Sequence, residues 1–189
     1  ETIPFYRPSL TEAEVEAVQF VLHSGHWTQG PVVEQLEHEF AAYVGAPIAI
    51  AVSSCTAALL LSLFYFELRN GNDNGYVQIP AVTFPGVGVV IVQAGGRIKL
   101  KDTVMVGKAY ELENSRRPIY DCAHQITRGM YIPDSFMCYS FYPTKEIASC
   151  EGGMITTDDE TAAHWFRKAR LHGKEGHGCI YEIQILGWK

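Results

Sequence analysis

Apolar residues recur along this chain in two rhythms, one of about 3.6 residues and one of short continuous runs, and each marks a kind of element. Between Thr11 and Gly25 the residues Val15, Val18, Val21 and Leu22 keep helical spacing. Thr11-Glu-Ala-Glu14 in front of them is a capping-box pattern, in which a threonine and the glutamate three residues on satisfy each other's free N–H groups, and Ser24-Gly25 ends the run. A first amphipathic helix is predicted. His26-Trp-Thr-Gln-Gly30 reads as a loop, after which Pro31 stands where a first-turn proline fits. Val33, Leu36, Phe40 and Val44 follow, with Gly45 as a C-terminal stop. Pro47 to Val52 is short, apolar and partly β-branched, Ser53-Ser54-Cys55-Thr56 is polar, and Ala57 to Leu68 is apolar nearly all round. These predict a strand, a polar turn and a buried helix.

Tyr76-Val-Gln-Ile-Pro80 reads as a strand stopped by proline, and Phe84 to Gln93 is an apolar run that periodicity leaves open between helix and strand. Arg97 to Leu100 and Val104 to Val106 are expected to be strands, and Glu111 to Arg117 a polar connection. Pro118-Ile-Tyr-Asp121 is a short strand ending in a carboxylate. Phe136 to Phe141 is a strand leading into Tyr142-Pro-Thr-Lys145, and Gly152 to Thr157 is one more. Thr157-Asp-Asp-Glu160 repeats the capping box and is expected to open a helix running to His172, with Gly173 as its stop. Strands alternating with helices predict an α/β fold with a mostly parallel sheet flanked by helices. The expected organisation is a single domain, a helical segment 1–45 ahead of an α/β core 46–189.

Composition narrows the function classes. With 189 residues, 47% hydrophobic and 19% charged, the chain has the apolar content to bury a core. Fifteen Lys and Arg against 21 Asp and Glu give a net charge of −6 with no basic run, so the electrostatic footprint of a nucleic-acid binder is missing. The longest apolar stretch, Ala57 to Phe66, is broken by Ser62 and falls short of the ~20 residues of a membrane span. Glu1-Thr-Ile-Pro-Phe5 has no basic n-region leading into an apolar run, and the expected location is the cytoplasm. Five cysteines without a Cys-x-x-Cys pair fit reduced thiols rather than a disulfide framework or a zinc finger.

Three polar clusters lie at predicted strand ends, where ligands bind in open α/β sheets. Ser53-Ser54-Cys55-Thr56 opens a buried helix, where unpaired N–H groups and the helix dipole suit a phosphate, and where an ordinary serine or threonine cap would look the same. Asp121 ends a strand with His124 three residues on, a pair equally compatible with a capping aspartate and a structural histidine. Lys145 follows a buried strand, where apolar walls would lower its pKa and make it a Schiff-base nucleophile, although a lone lysine is usually a solvated one. Together they match the needs of pyridoxal phosphate (PLP): a phosphate cradle, an anion for the pyridine nitrogen and a lysine for the aldehyde, with Phe84 as an aromatic to cover the ring. Other patterns do not develop. Gly86-Val-Gly88 lacks the third glycine and the acidic partner of a dinucleotide site, His172 and His177 have no carboxylate partners for a metal, and Cys55 and Cys122 are read as inert small hydrophobes.

Ile3-Pro-Phe5, Trp27-Thr-Gln-Gly-Pro31, Ser54-Cys-Thr-Ala-Ala-Leu59, Ile79-Pro-Ala-Val-Thr-Phe84, Tyr120-Asp-Cys-Ala-His124, Tyr139-Ser-Phe-Tyr-Pro-Thr-Lys145, Glu151-Gly-Gly-Met-Ile155 and Leu186-Gly-Trp-Lys189 resemble, in order, the motifs of the DegT/StrS family of PLP-dependent sugar aminotransferases. The resemblance implies the large domain of a fold-type I PLP-dependent transferase and a homodimer with active sites at the subunit interface. It also implies transfer of an amino group from an amino acid, glutamate foremost, to a nucleotide-linked keto sugar. It makes Lys145 the lysine of the internal aldimine, Asp121 the pyridinium partner and His124 a contact on the ring hydroxyl side. Ser54, Cys55, Thr56 and Ser140 would surround the phosphate, with Phe84 over the ring. Compared with the family, the stretch between Arg97 and Asp121 is short by a strand and a helix, and the C-terminal small domain is expected to be absent. Lys189 falls where the family reaches toward the neighbouring subunit's cofactor. The alternative expectation is a shortened homologue that binds PLP or a partner chain without efficient turnover. A sugar dehydratase is disfavoured by Lys145, because the related dehydratases carry histidine there.

Overall fold

The computed structural model describes residues 2–4, 6–65, 75–103, 105–113, 115, 117–177 and 180–188. The chain opens with two helices, α1 (Glu12–Ser24) and α2 (Pro31–Val44). Each forms where its end signals stand. Thr11 and Glu14 complete the capping box of α1, Pro31 occupies the first turn of α2, and Gly25 and Gly45 end the two helices in the left-handed conformation that favours glycine. The core then runs β1 (Ile48–Val52), α3 (Cys55–Tyr65), β2 (Tyr76–Pro80), α4 (Pro85–Gln93), β3 (Arg97–Lys101), β4 (Tyr110–Glu111), β5 (Ile119–Asp121), β6 (Phe136–Ser140), β7 (Gly153–Thr157), α5 (Glu160–Ala169), β8 (Lys174–His177) and β9 (Ile180–Ile183). Among the described residues, no helix is long and apolar enough to cross a membrane.

The main sheet has the order β1-β7-β6-β5-β4. It is α/β but mixed, a correction to the expected mostly parallel sheet. β1, β5 and β6 run one way, while β7 lies antiparallel between β1 and β6, and β4 lies antiparallel on β5. The physical reason is the connection. Residues 141–152 between β6 and β7 contain no helix, and without a helical crossover a returning strand enters antiparallel. The parallel pair β2-β3 forms a second small sheet. The segment 110–113 joins the two sheets: Tyr110 and Glu111 pair with β5, Leu112 N–H donates to the Ile119 carbonyl, and Glu113 exchanges backbone bonds with Gln78 of β2. The polar connection expected over 111–117 therefore carries a strand. Val104 lies outside the described residues, and Met105 to Gly107 form a turn rather than the expected strand.

Two more boundaries move. The helix expected from Thr157 begins at Glu160, with the Asp159 carboxylate accepting from Ala162 N–H, because Thr157 is still paired in β7 and cannot serve as a cap. It ends at Ala169, not His172. The open run from Phe84 is a helix, and the end of the expected helix over 57–68 lies outside the described residues beyond Tyr65.

The main core is built from α3, α4, α5 and the inner face of the sheet, with Leu59, Ile91, Phe136 and Phe166 buried together. A second cluster packs α2 onto the other face, where Phe40 meets Tyr139 and Phe141 edge-on. A part-buried ion pair ties these layers: Glu37 of α2 bonds Arg170 after α5, Glu37 Oε1 accepts from Ala51 N–H at 2.9 Å, and Arg170 donates to the Ala51 carbonyl at 3.0 Å. The end of β1 is thereby held from both sides.

Candidate active site

The C-terminal ends of β1, β5 and β6 share one edge of the sheet, because these three strands are codirectional. β1 runs into Ser53-Ser54 and the start of α3, β5 ends at Asp121, and β6 ends at Ser140 ahead of the loop carrying Lys145. Three clusters far apart in sequence thus meet at the edge where α/β ligands bind.

Ser54 caps α3, its carbonyl accepting from Ala58 N–H at 3.0 Å and its Oγ from Ala57 N–H at 3.1 Å. The N–H groups of Cys55 and Thr56 belong to the first helical turn, which has no intrahelical acceptor for them. β7 passes close beside this turn. A Cβ on Gly153 would sit 2.4 Å from the Ser54 carbonyl carbon and 2.6 Å from Cys55 N, so only glycine leaves the approach open. Gly153 also pairs with Ser140 across the β6-β7 ladder, which puts Ser140 and the α3 turn on two sides of one glycine. Ser140 Oγ accepts from Tyr142 N–H at 3.3 Å and starts the bend toward Lys145.

Asp121 is buried, at 4% exposure. Its Oδ1 accepts from Ala123 N–H at 2.9 Å and faces Cys55 Sγ at 3.8 Å; its Oδ2 accepts from the Tyr110 hydroxyl at 2.8 Å. His124 follows Ala123 directly, and its Nε2 is 3.4 Å from Lys145 Nζ. Burial first, then the Lys145 charge, lower the His124 pKa against an opposing pull from Asp121. The neutral imidazole can then accept from the lysine. Glu146 braces this contact from the next position, its Oε2 accepting from Ile126 N–H at 2.6 Å. Phe84, just before α4, is 64% exposed, so it is not a core aromatic. Gly86 is the pivot here: a Cβ on it would lie 2.5 Å from the Phe84 ring and 3.4 Å from Thr56 Oγ1, so ring and hydroxyl converge on one point.

Cys55 points inward, its Sγ 3.4 Å from the Cys138 carbonyl, and burial foremost, then Asp121, push its thiol pKa well up. It can serve a bound anion through its backbone only. A cavity of about 350 Å³ lies between α3 and α4 under Trp188; it touches Ser54 and Thr56 but is not lined by Asp121, His124 or Lys145. Lys189 lies outside the described residues.

A model of the DegT/DnrJ/EryC1/StrS aminotransferase family matches residues 8–105 and 121–189. The chain belongs to this family. Within the DegT/DnrJ/EryC1/StrS family it is 33% identical over 234 residues to the spore coat polysaccharide biosynthesis protein SpsC of Bacillus subtilis (strain 168), covering 99% of this chain and 60% of SpsC. Its fold superimposes on the PLP form of the putative sugar aminotransferase Spr1654 from Streptococcus pneumoniae with a TM-score of 0.82 at 24% identity, over 100% of this chain and 62% of that one. On PseC of Helicobacter pylori, an aminotransferase involved in pseudoaminic acid biosynthesis, the TM-score is 0.81 at 17% identity, over 100% and 61%. The chain spans about 60% of the length of the relatives it matches. The family match skips residues 106–120, the stretch that holds β4.

The residues present fit PLP. Gly153 keeps a cradle open at the α3 turn, Ser54 and Thr56 hydroxyls flank it, a buried carboxylate and a lysine stand at the strand ends beyond it, and an exposed ring waits at Phe84. The motif reading passed over Tyr110, Thr83 and Glu146 as site residues. Thr83 stands inside the Ile79–Phe84 motif without being singled out there, and Tyr110 gave no local signal, because both act through a contact made only after β4 docks on β5; Glu146 adjoins Lys145 but its partner Ile126 is distant in sequence.

Proposed function

We propose that the chain is the PLP-binding large domain of a cytoplasmic aminotransferase, with the helical segment 1–45 ahead of the α/β core 46–189. It moves an amino group from an amino acid, glutamate foremost, to a nucleotide-linked keto sugar, and it works as a homodimer. The observation that carries the reading is the meeting of Lys145, His124 and Asp121 at one sheet edge beside the α3 N-terminus. The family supports the reaction class, and the PLP form of a relative with the same fold supports the cofactor. PLP, when bound, supplies an aldehyde for an amine and a protonated ring that withdraws electrons from the attached carbon.

Each residue then has a task. Lys145 offers the amine, and His124 holds its Nζ and accepts from it. Asp121, already oriented by Ala123 N–H, accepts the pyridine N–H. Ser54, Thr56, Ser140 and the backbone of Cys55 bind the phosphate, and Phe84 covers a ring face and keeps water off it. Borohydride reduction in the presence of PLP, followed by peptide mass mapping, should leave a pyridoxyl group on Lys145; PLP bound tightly with the adduct elsewhere would refute the assignment.

A second reading has its own support. The 106–120 stretch outside the family match, which leads straight into Asp121, favours binding without efficient turnover. The absorption spectrum of the PLP-loaded protein separates the two: a change on adding glutamate favours transfer, and an unchanged spectrum favours binding alone.

A further inference from the structure

The segment that the family match skips delivers a side chain into the site. Tyr110 stands directly across the β4-β5 ladder from Asp121, and its hydroxyl lies 2.8 Å from Asp121 Oδ2 and 2.7 Å from Thr83 Oγ1. An ionised carboxylate has no proton to give, so Tyr110 is the donor to Oδ2, and Thr83 is then the donor to Tyr110. The direction of the chain is fixed by its end. Burial first, and the Asp121 charge next, push the phenol pKa far up, so the proton stays available at any working pH. The backbone is fixed as well: Leu112 N–H bonds the Ile119 carbonyl at 2.7 Å, and Glu113 is locked to Gln78 of β2. Oδ1 is engaged by Ala123 N–H, so the two oxygens are held from opposite sides. Each carboxylate oxygen has more than one lone pair, so Oδ2 keeps capacity for a further donor.

We propose that Tyr110 is a positioning residue: with Thr83 behind it, its hydroxyl fixes the rotamer of Asp121 and keeps the carboxylate turned toward the pyridine nitrogen of PLP. The proposal rests on the reading above, that Asp121 is the partner of the PLP ring. Thr83 precedes Phe84, so one loop reaches the carboxylate through Tyr110 and offers the ring platform. β4 thereby performs a local task within a stretch that has no counterpart in the family match.

The experiment compares the full chain with Tyr110→Phe, Thr83→Val, Asp121→Asn and the Tyr110→Phe/Asp121→Asn double variant. Three quantities are read: melting temperature without PLP, PLP affinity by titration, and the pH at which the absorption of the bound cofactor titrates. Loss of one hydrogen bond to a charged group should weaken PLP binding about tenfold in Tyr110→Phe. That variant should also displace the absorption titration, with the cofactor-free melting temperature close to the parent's. Thr83→Val should move both cofactor readouts the same way by less, and Tyr110→Phe should add little once Asp121 is Asn. Parent-like affinity and titration in Tyr110→Phe, beside an impaired Asp121→Asn, would overturn the proposal while leaving the PLP reading intact. A full Tyr110→Phe effect in the Asn background would overturn it too. An unimpaired Asp121→Asn would overturn both readings at once. If Tyr110→Phe does not fold, Thr83→Val decides alone: unchanged cofactor readouts overturn the proposal.

Discussion

His124 is where the chemistry of a single side chain is most exposed to pH. Burial and the neighbouring Lys145 depress its pKa below the ordinary 6.5, so in the folded protein it stays neutral in a range where an unfolded chain would take up a proton. The sign follows from linkage: the stability associated with neutral His124 is present above pH ~6.5 and is lost as pH falls from there through the folded pKa. His124→Gln, which keeps an amide near Lys145 but does not titrate, should flatten the pH dependence of unfolding below ~6.5; an unchanged profile would remove His124 as its source. Cysteine reactivity makes a second contrast. Cys55, Cys122 and Cys138 are buried with thiol pKa values pushed up, that of Cys138 to about 12 by burial foremost, while Cys150 is exposed. Under native conditions a maleimide should label Cys150 before any of those three, as peptide mapping would show.

At the scale of elements, the site depends on close approaches that one methyl group would spoil. Gly153→Ala places a Cβ against the backbone of Ser54 and Cys55, which cannot give way as a flexible side chain would. Overpacking of this kind costs about 1–3 kcal/mol, so denaturant midpoint and PLP affinity should fall together. A parent-like variant would show that β7 does not crowd the α3 turn. Leu112 probes the seam between the two sheets. It is fully buried in the segment that bonds β5 on one side and β2 on the other. Leu112→Ala should cost about 2–5 kcal/mol, with the effect reaching Asp121 through the β4-β5 ladder.

On the scale of the whole molecule, α1 is the unpartnered part. It buries none of its residues, and Phe20 and Trp27 are 66% and 70% exposed beside exposed Val18 and Leu22. Val18 and Leu22, four residues apart, share one face of α1, while Phe20 lies on the opposite side and Trp27 just after the helix; exposed apolar surface of this sort is what a contact with another chain would cover. The proposed homodimer accounts for it, and sedimentation over a range of concentrations should show dimers that Phe20→Glu weakens. PLP affinity should then fall on dilution, since groups donated across an interface are lost when subunits part. A monomer with undiminished affinity would refute the interface.

Much of this protein was legible in its sequence, for a physical reason that particular residues show. Thr11 and Glu14, Pro31, Gly25 and Gly45 act within a turn of where they stand, so helix starts and stops could be read without knowing the rest of the fold. The family motifs likewise named Lys145, Asp121 and His124 before any geometry was in hand. What the chain alone left open depends on partners distant in sequence. Strand direction is one such property: β7 is antiparallel because of how residues 141–152 return, and Thr157 lost its capping role because it is paired with Ile48. Tyr110 is another. In an aperiodic polar stretch it carried no signal, and only the docking of β4 on β5, which closes the gap between the two sheets, brought its hydroxyl to Asp121.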